Sequence, residues 1–309
     1  MANTFTLAHL SDIHLPPTRL GRPGGWSLKQ CLGVLNWYRR RRRQHSAAAL
    51  ARLIEDLAVQ RADHIAVTGD LVNLGLPHEY EAAARWLEAL GPADRISVIP
   101  GNHDVYGAHG SEAGMLCWHP YMSGDGTAAA VTGHGFPYVR RIGRLALIGL
   151  NSGVPTPIFN HSGRLGPAQL EALSRALDVL SRERAIRVVL IHHPPLPGQI
   201  SAHRALVDAA ALAEVLRRHG AELVLHGHSH RATLVMADGP DRPIPVVSAA
   251  SASLGRPSHG ETFARYNLLR IGAGAEPGIE LIERGLETAL GPVIEFSRRQ
   301  IVPRHNRGG

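Results

Sequence analysis

Four short apolar runs in this chain each break off into Asp, Asn or His: DHIAVTGD at 63–70, DRISVIPGNHD at 94–104, AIRVVLIHHPP at 185–195 and AELVLHGHSH at 221–230. A fifth, TFTLAHLSD, opens the chain and stops near Ser11. Runs of this length, bounded by polar residues, predict buried strands. Between them the apolar period changes. Leu50, Leu53, Ile54 and Leu57 recur at helical spacing behind Ser46, a good N-cap residue. PHEYEAAARWLEAL is helical, and Leu170, Leu173, Leu177 and Leu180 form a stripe opened by Pro167. VDAAALAEVLRRHG closes on a basic turn and Gly220. RRIGRLALIGLNS reads as a turn followed by a strand, and 231–284 reads as several strands without a helix. Alternating strands and helices define an α/β class, and open α/β sheets place their sites where these polar clusters fall, at the carboxyl ends of strands.

The 309 residues are enough for a large core, and 44% hydrophobic with 19% charged residues excludes a disordered chain. The reading is one domain over 1–290, with a basic and apolar insertion at 15–45, a loop insertion at 107–135 and a C-terminal tail at 291–309. The net charge is +7, of which Arg39–Arg43 supply five, so a diffuse nucleic-acid surface is not indicated. Cys31 and Cys117 make no disulfide framework and no thiolate zinc site. The N-terminus has no basic start followed by an apolar core, so the cytoplasm is expected.

The polar clusters share one composition. Asp12 and His14 lie two apart, as do His228 and His230, which puts each pair on one face of an extended segment. Asp70, Asn102, His103, Asp104, His192 and His193 complete the set. Asp, Asn and His without Cys suit borderline and hard divalent metals such as Mn, Fe and Zn. Any one cluster is weak; five in order at five strand ends are not coincidence.

In that order, D-x-H, G-D, G-N-H-D, H and G-H-x-H, the chain resembles the calcineurin-like metallophosphoesterases over about Thr4 to Thr233. The resemblance implies a β-sandwich flanked by helices, four layers α/β/β/α, with a dinuclear metal site at the strand ends. It implies Asp12, His14, Asp70 and His230 at one metal, and Asp70 bridging to a second held also by Asn102, His192 and His228. His192 is preferred to His193, and His226 reads as a core or supporting histidine. The cofactors implied are two divalent ions, Mn or Fe first and Zn next, sharing a hydroxide that attacks phosphorus in line. By the same resemblance His103 contacts the phosphoryl group or protonates the leaving oxygen, and Asp104 orients its ring. The activity implied is hydrolysis of a phosphodiester or pyrophosphate. A non-catalytic metal-binding scaffold is the competing class, disfavoured because every ligand position is filled.

The substrate is less constrained. HHPPLP resembles the cyclic-nucleotide phosphodiesterase branch, while Asp70 is followed by LVNLG, unlike the GDxVDRG run of protein phosphatases. The insertion carries Trp26, Leu28, Leu32, Leu35, Trp37 and Tyr38 beside Lys29 and Arg39, Arg40, Arg41, Arg42 and Arg43. Rings and cations together are what an interfacial helix uses. Its readings are a lid with a solvated basic turn, an anionic membrane surface, or, least, nucleic acid. Its character is similar to enzymes that cleave UDP-2,3-diacylglucosamine at the inner membrane face. The expectation is therefore a membrane-associated phosphodiester or pyrophosphate, Trp37 and Arg39–Arg43 meeting substrate or membrane; the alternative is a cytosolic cyclic-nucleotide phosphodiesterase.

Overall fold

Apolar runs too short for helices and too continuous for one-sided strands need cover on both faces, and the fold supplies it with two sheets back to back. The structure is a computed structural model and describes residues 4–17, 27–105, 114–125, 135–258, 260–272 and 278–303. One sheet runs in the order β12 (Val293–Val302), β11 (Ile279–Leu286), β10 (Arg265–Gly272), β1 (Thr4–Leu10), β2 (His64–Val67), β3 (Ile96–Val98). The other runs β4 (Tyr138–Ile142), β5 (Leu145–Gly149), β6 (Ile186–Leu190), β7 (Leu223–His226), β9 (Ile244–Ser248), β8 (Thr233–Ala237). Both are mixed. β1, β2 and β3 are parallel, as are β5, β6, β7 and β9, while β10–β12, β4 and β8 add antiparallel edges.

Between the sheets Leu7, Ala66, Leu147, Val188, Leu190, Leu225, Leu269 and Leu281 form one core. On the outer face of the first sheet, α3 (Ala47–Gln60) and α4 (Pro77–Leu90) bury Leu50, Leu53, Leu57, Tyr80, Ala83 and Leu87. Helices α5 (Pro167–Arg182) and α6 (Ala209–His219) cover the second with Leu173, Leu177, Leu212 and Leu216. The result is the four-layer α/β/β/α arrangement. Ser46 caps α3 by accepting the Ala49 N–H at 3.2 Å.

Two expectations change. RRIGRLALIGLNS holds the end of a strand as well as a turn: β4 reaches Ile142 and pairs with β5 around Gly143, whose φ of 59° suits glycine. Its arginines hide the strand, because Arg140 is buried with its guanidinium donating to the carbonyls of Ala93, Ile96, Pro120 and Ser123. The tail expected from 291 is mostly β12, whose pairing with β11 places Val302 in the core; its alternation is broken by Arg298 and Arg299, which pair with Glu280 and Glu283 of β11. Much of the 107–135 insertion, and Trp26, lie outside the described residues. Within the insertion Trp118 is buried and donates to the Tyr80 carbonyl at 3.0 Å. No helix among the described residues is long and apolar enough to cross a membrane.

Candidate metal centre

Each polar cluster follows the carboxyl end of a strand: Asp12 after β1, Asp70 after β2, Asn102 after β3, His192 after β6 and His228 after β7. The two sheets therefore deliver their loops to one edge, where hydrogen bonds stitch them together. Asp12 N–H donates to Gly69 O at 3.0 Å and His14 N–H to Asp70 O at 2.9 Å. Across the sandwich, His228 N–H donates to Asp12 Oδ2 at 3.0 Å, and within the second sheet Gly227 N–H donates to His192 O at 3.1 Å. Glycine is required at the closest approach: a Cβ on Gly227 would stand 1.8 Å from Ser11 Oγ and 2.6 Å from Asp12 Oδ2.

Two donor sets result. Ligand atoms of Asp12, His14 and His230 lie within 4.8 Å of one another, and so do those of Asp70, His192 and His228. Asp70 Oδ2 stands between them, 3.7 Å from His14 Nε2 and 3.5 Å from His192 Nε2. Asn102 Oδ1 joins the second set, 3.1 Å from His192 Nε2. The rings are aimed from behind: His192 Nδ1 pairs with the Thr68 carbonyl at 2.7 Å and His14 Nδ1 with the Val72 carbonyl at 3.2 Å. Such outer contacts fix which nitrogen faces a metal. Of eight non-glycine residues with positive φ among those described, five are in the donor sets: Asp12, His14, Asp70, His228 and His230. Backbone strain of this kind persists where the surroundings impose it, at functional sites above all.

The residues fit divalent cations. His228 Nε2 is buried without a hydrogen-bond partner among the described residues, which a protein tolerates badly unless a ligand compensates. Electrostatics agrees. Burial opposes charge on His192 and His230, yet Asp70 beside the first and Asp12 beside the second raise both to about 9. Asp70 is held far below the usual carboxylate range, its burial outweighed by His192 and His103. Carboxylates that hold histidine protons in this way offer seats to cations, which bind by displacing those protons.

His193 stays out of the donor sets: Nδ1 lies 2.7 Å from Ser152 Oγ and Nε2 3.1 Å from the His161 carbonyl. His226 is buried with Nδ1 at its neighbour's carbonyl. His103 borders the cleft, its Nδ1 2.6 Å from the Asn73 carbonyl. The expected role of Asp104 is corrected here. Its carboxylate accepts four backbone N–H groups, Asp70 and Gly101 at Oδ2 and Leu71 and Val72 at Oδ1, each within 3.1 Å. It thus ties the second and third motif loops together, while the Asn73 carbonyl orients the His103 ring. Burial and nearby Asp70 push its pKa up to about 7 against those four donors.

The insertion forms the cleft's wall. Helix α1 (Leu28–Asn36) runs into a π-helical turn, Trp37–Arg41, then a single turn, α2 (Arg42–Gln44). Trp37 is buried and lines the cleft, so its ring does not reach a membrane. Arg41 also turns inward: its Nη1 lies 2.8 Å from His103 Nε2 and its Nη2 3.0 Å from His14 Nε2. Arg39, Arg40, Arg42 and Arg43 are exposed. The cleft encloses about 330 Å³. Sequence reasoning missed four of its residues. His45 packs its ring 4.5 Å from that of His14, His161 stacks on His103, Asn73 aims His103, and Arg204 donates to the His228 carbonyl at 2.9 Å. None sits in a motif; only HSA after the arginines, placing His45 at a helix start, marked one of them.

With this fold and these motifs, the calcineurin-like phosphoesterase family model matches residues 5–232, and the chain belongs to that family. It is a metal-dependent phosphoester hydrolase with two candidate metal-binding groups. Among curated proteins it is 30% identical over 195 residues to a probable cyclic nucleotide phosphodiesterase of Rhodococcus erythropolis, covering 62% of this chain and 58% of that one. To one of Synechococcus it is 28% identical, covering 75% of each. The fold is shared with a dimetal phosphatase from Danio rerio, TM-score 0.56 at 13% identity over 95% of this chain and 99% of that one. A purple acid phosphatase from yellow lupin seeds also has a TM-score of 0.56, at 12% identity, over 96% of this chain and 53% of its own.

Proposed function

We propose that the chain hydrolyses phosphodiester bonds in nucleotides, with nucleoside 3',5'-cyclic phosphates the first class to test. The observation that carries this is Asp70 Oδ2, one carboxylate oxygen within 3.7 Å of a ring nitrogen from each donor set. In-line displacement at phosphorus is served by a pair of cations, and a carboxylate placed between two donor sets would serve both. Asp12, His14, Asp70 and His230 would hold one ion and Asp70, Asn102, His192 and His228 the other, with Mn or Fe the best match to the donors. When bound, the pair supplies Lewis acidity and water ionised near neutral pH.

The chain's own groups do the rest. Because Nδ1 of His103 faces a carbonyl, it carries the ring proton, and Nε2 meets the reacting phosphoryl or leaving oxygen. Arg41 Nη1 donates to that Nε2. Burial, with Arg41, lowers the His103 pKa to about 3. An oxyanion entering between them takes over the guanidinium donor and opposes that shift, so that Nε2 takes up a second proton from solvent, which His103 passes to the leaving oxygen. The names of the relatives support nucleotide diesters.

A second reading places the substrate at a membrane, as with UDP-2,3-diacylglucosamine. Leu28, Leu35 and Tyr38 favour it, exposed beside Arg39, Arg42 and Arg43. The protein loaded with Mn, given 3',5'-cyclic AMP, bis(p-nitrophenyl) phosphate, p-nitrophenyl phosphate and UDP-2,3-diacylglucosamine, separates the readings by kcat/KM. Preference for the nucleotide and aryl diesters supports the first; preference for the lipid nucleotide selects the second. Inertness toward all four with both metals bound rejects both.

A further inference from the structure

Beside the metal cleft lies a second cavity of about 600 Å³, and the two share Arg40, Arg204 and Glu261 as walls. Resting on the phosphodiesterase reading, we infer that this cavity is an anion subsite that seats a second phosphate of the substrate. Three arginines line it, from three separate segments. Arg40 comes from the π-helical turn, Arg204 from the loop between β6 and α6, and Arg231 directly follows His230. Glu261 is the one carboxylate among the described lining residues. Its charge is already engaged: Oε2 accepts the Ser258 N–H at 2.9 Å and hydroxyl at 2.8 Å, and Oε1 lies 3.6 Å from His230 Nδ1. Among the described lining residues three arginines stand against this one carboxylate.

The rest of the lining fits a polar anion better than a base or an acyl chain. Ser229 and Thr233 add hydroxyls, and among the described lining residues there is no Phe, Tyr or Trp to stack a base. Guanidinium groups suit phosphate because their N–H donors pair two at a time with its oxygens. Arg204 is held in position by its bond to the His228 carbonyl, so it joins the reacting centre to the subsite at a fixed span. The Arg231 guanidinium packs on the bare backbone of Gly260, where a Cβ would stand 3.1 Å from Nη2. A substrate with one phosphate fills the metal cleft alone; a nucleotide diester bearing a further phosphate fills both.

Binding of thymidine 5'-phosphate and thymidine 3',5'-bisphosphate to the Mn-loaded protein, followed by calorimetry, tests this. The bisphosphate is expected to bind at least about tenfold more tightly, as one or two charge-assisted hydrogen bonds allow. That advantage should shrink to about twofold or less in Arg231→Gln and in Arg204→Gln, read as a ratio within each variant so that partial misfolding cancels. Equal affinities in the wild type, or an undiminished ratio in both variants, overturn the subsite. Turnover is read separately on the p-nitrophenyl 5'-esters of the same two nucleotides. No hydrolysis of either, with the affinity ratio intact, sinks the phosphodiesterase reading and leaves the subsite standing.

Discussion

Asp104 and His103 are sequence neighbours with separable work, and mutation should show it. Asn at 104 has a single acceptor oxygen, so one pair of buried N–H groups, from Asp70 and Gly101 or from Leu71 and Val72, loses its partner. Each orphaned donor costs about 1–3 kcal/mol, so Asp104→Asn should lower Tm and loosen metal retention. His103→Gln should leave Tm and metal content near wild type while kcat falls by about 10²–10⁴. A Tm loss in the second variant, or none in the first, reverses the assignment. His64 gives a pH test far from the metals. It is buried, 2.9 Å from Ser97 Oγ, and burial, with Arg140 and Arg95, lowers its pKa from 6.5 to about 3. The unfolded chain binds a proton there first, so this contribution is complete above pH 6.5 and is lost as pH falls toward 3. At pH 5 the loss is about 2 kcal/mol. Denaturant unfolding of wild type and His64→Gln at pH 7.5 and 5 should show their stability gap closing by that amount.

At the scale of elements, the motif strands were plain in the sequence because burial on both faces writes a continuous apolar run that stops where the polar loop begins. β4 and β12 were not, for one physical reason. Both are outer strands whose arginines are satisfied by carbonyls or by carboxylates across the ladder, and a paired cation reads as a loop or tail. The arginine run was ambiguous for a related reason. A π-helical turn shifts side-chain phase by one residue relative to an α-helix, and period alone does not show which of five consecutive arginines turns inward. The structure selects Arg41. Its guanidinium stands between His14 and His103, where it repels any cation entering the first donor set. Arg41→Gln should therefore bind Mn more tightly while KM for a diester rises about tenfold or more, the loss of one or two charge-assisted bonds. Metal affinity by calorimetry must rise while substrate affinity, read from KM by assay, falls. A parallel loss of both would mean that Arg41 only supports the wall. Arg39→Gln, at an exposed position of the same turn, is the control.

For the whole molecule, metal, protons and folding are one linked equilibrium. Five left-handed residues and several buried imidazoles are held at one edge of the sandwich by loops from both sheets, at a strain cost of about 1–3 kcal/mol per residue. In the metal-free protein, protons on His192 and His230 help to offset this, since both have pKa values raised to about 9 by Asp70 and Asp12 against their burial. A histidine raised in the folded state stabilises fully below its unfolded value near 6.5, and that stabilisation is lost as pH rises through 9. Cations held by these residues, as proposed, would displace the same two protons. Metal binding at pH 7.5 should therefore release close to two protons per chain, seen as a dependence of the calorimetric heat on buffer ionisation enthalpy. Affinity should fall as pH drops from 9 toward 6.5. The chelated protein should also lose Tm between pH 6.5 and 9 while the loaded protein holds its own, because ligands bound only to the native state add stability as their affinity grows. The Tm gap between loaded and chelated forms thus widens with pH. A gap that stays constant, with no proton release, would mean that the two carboxylate–histidine pairs do not hold the metals.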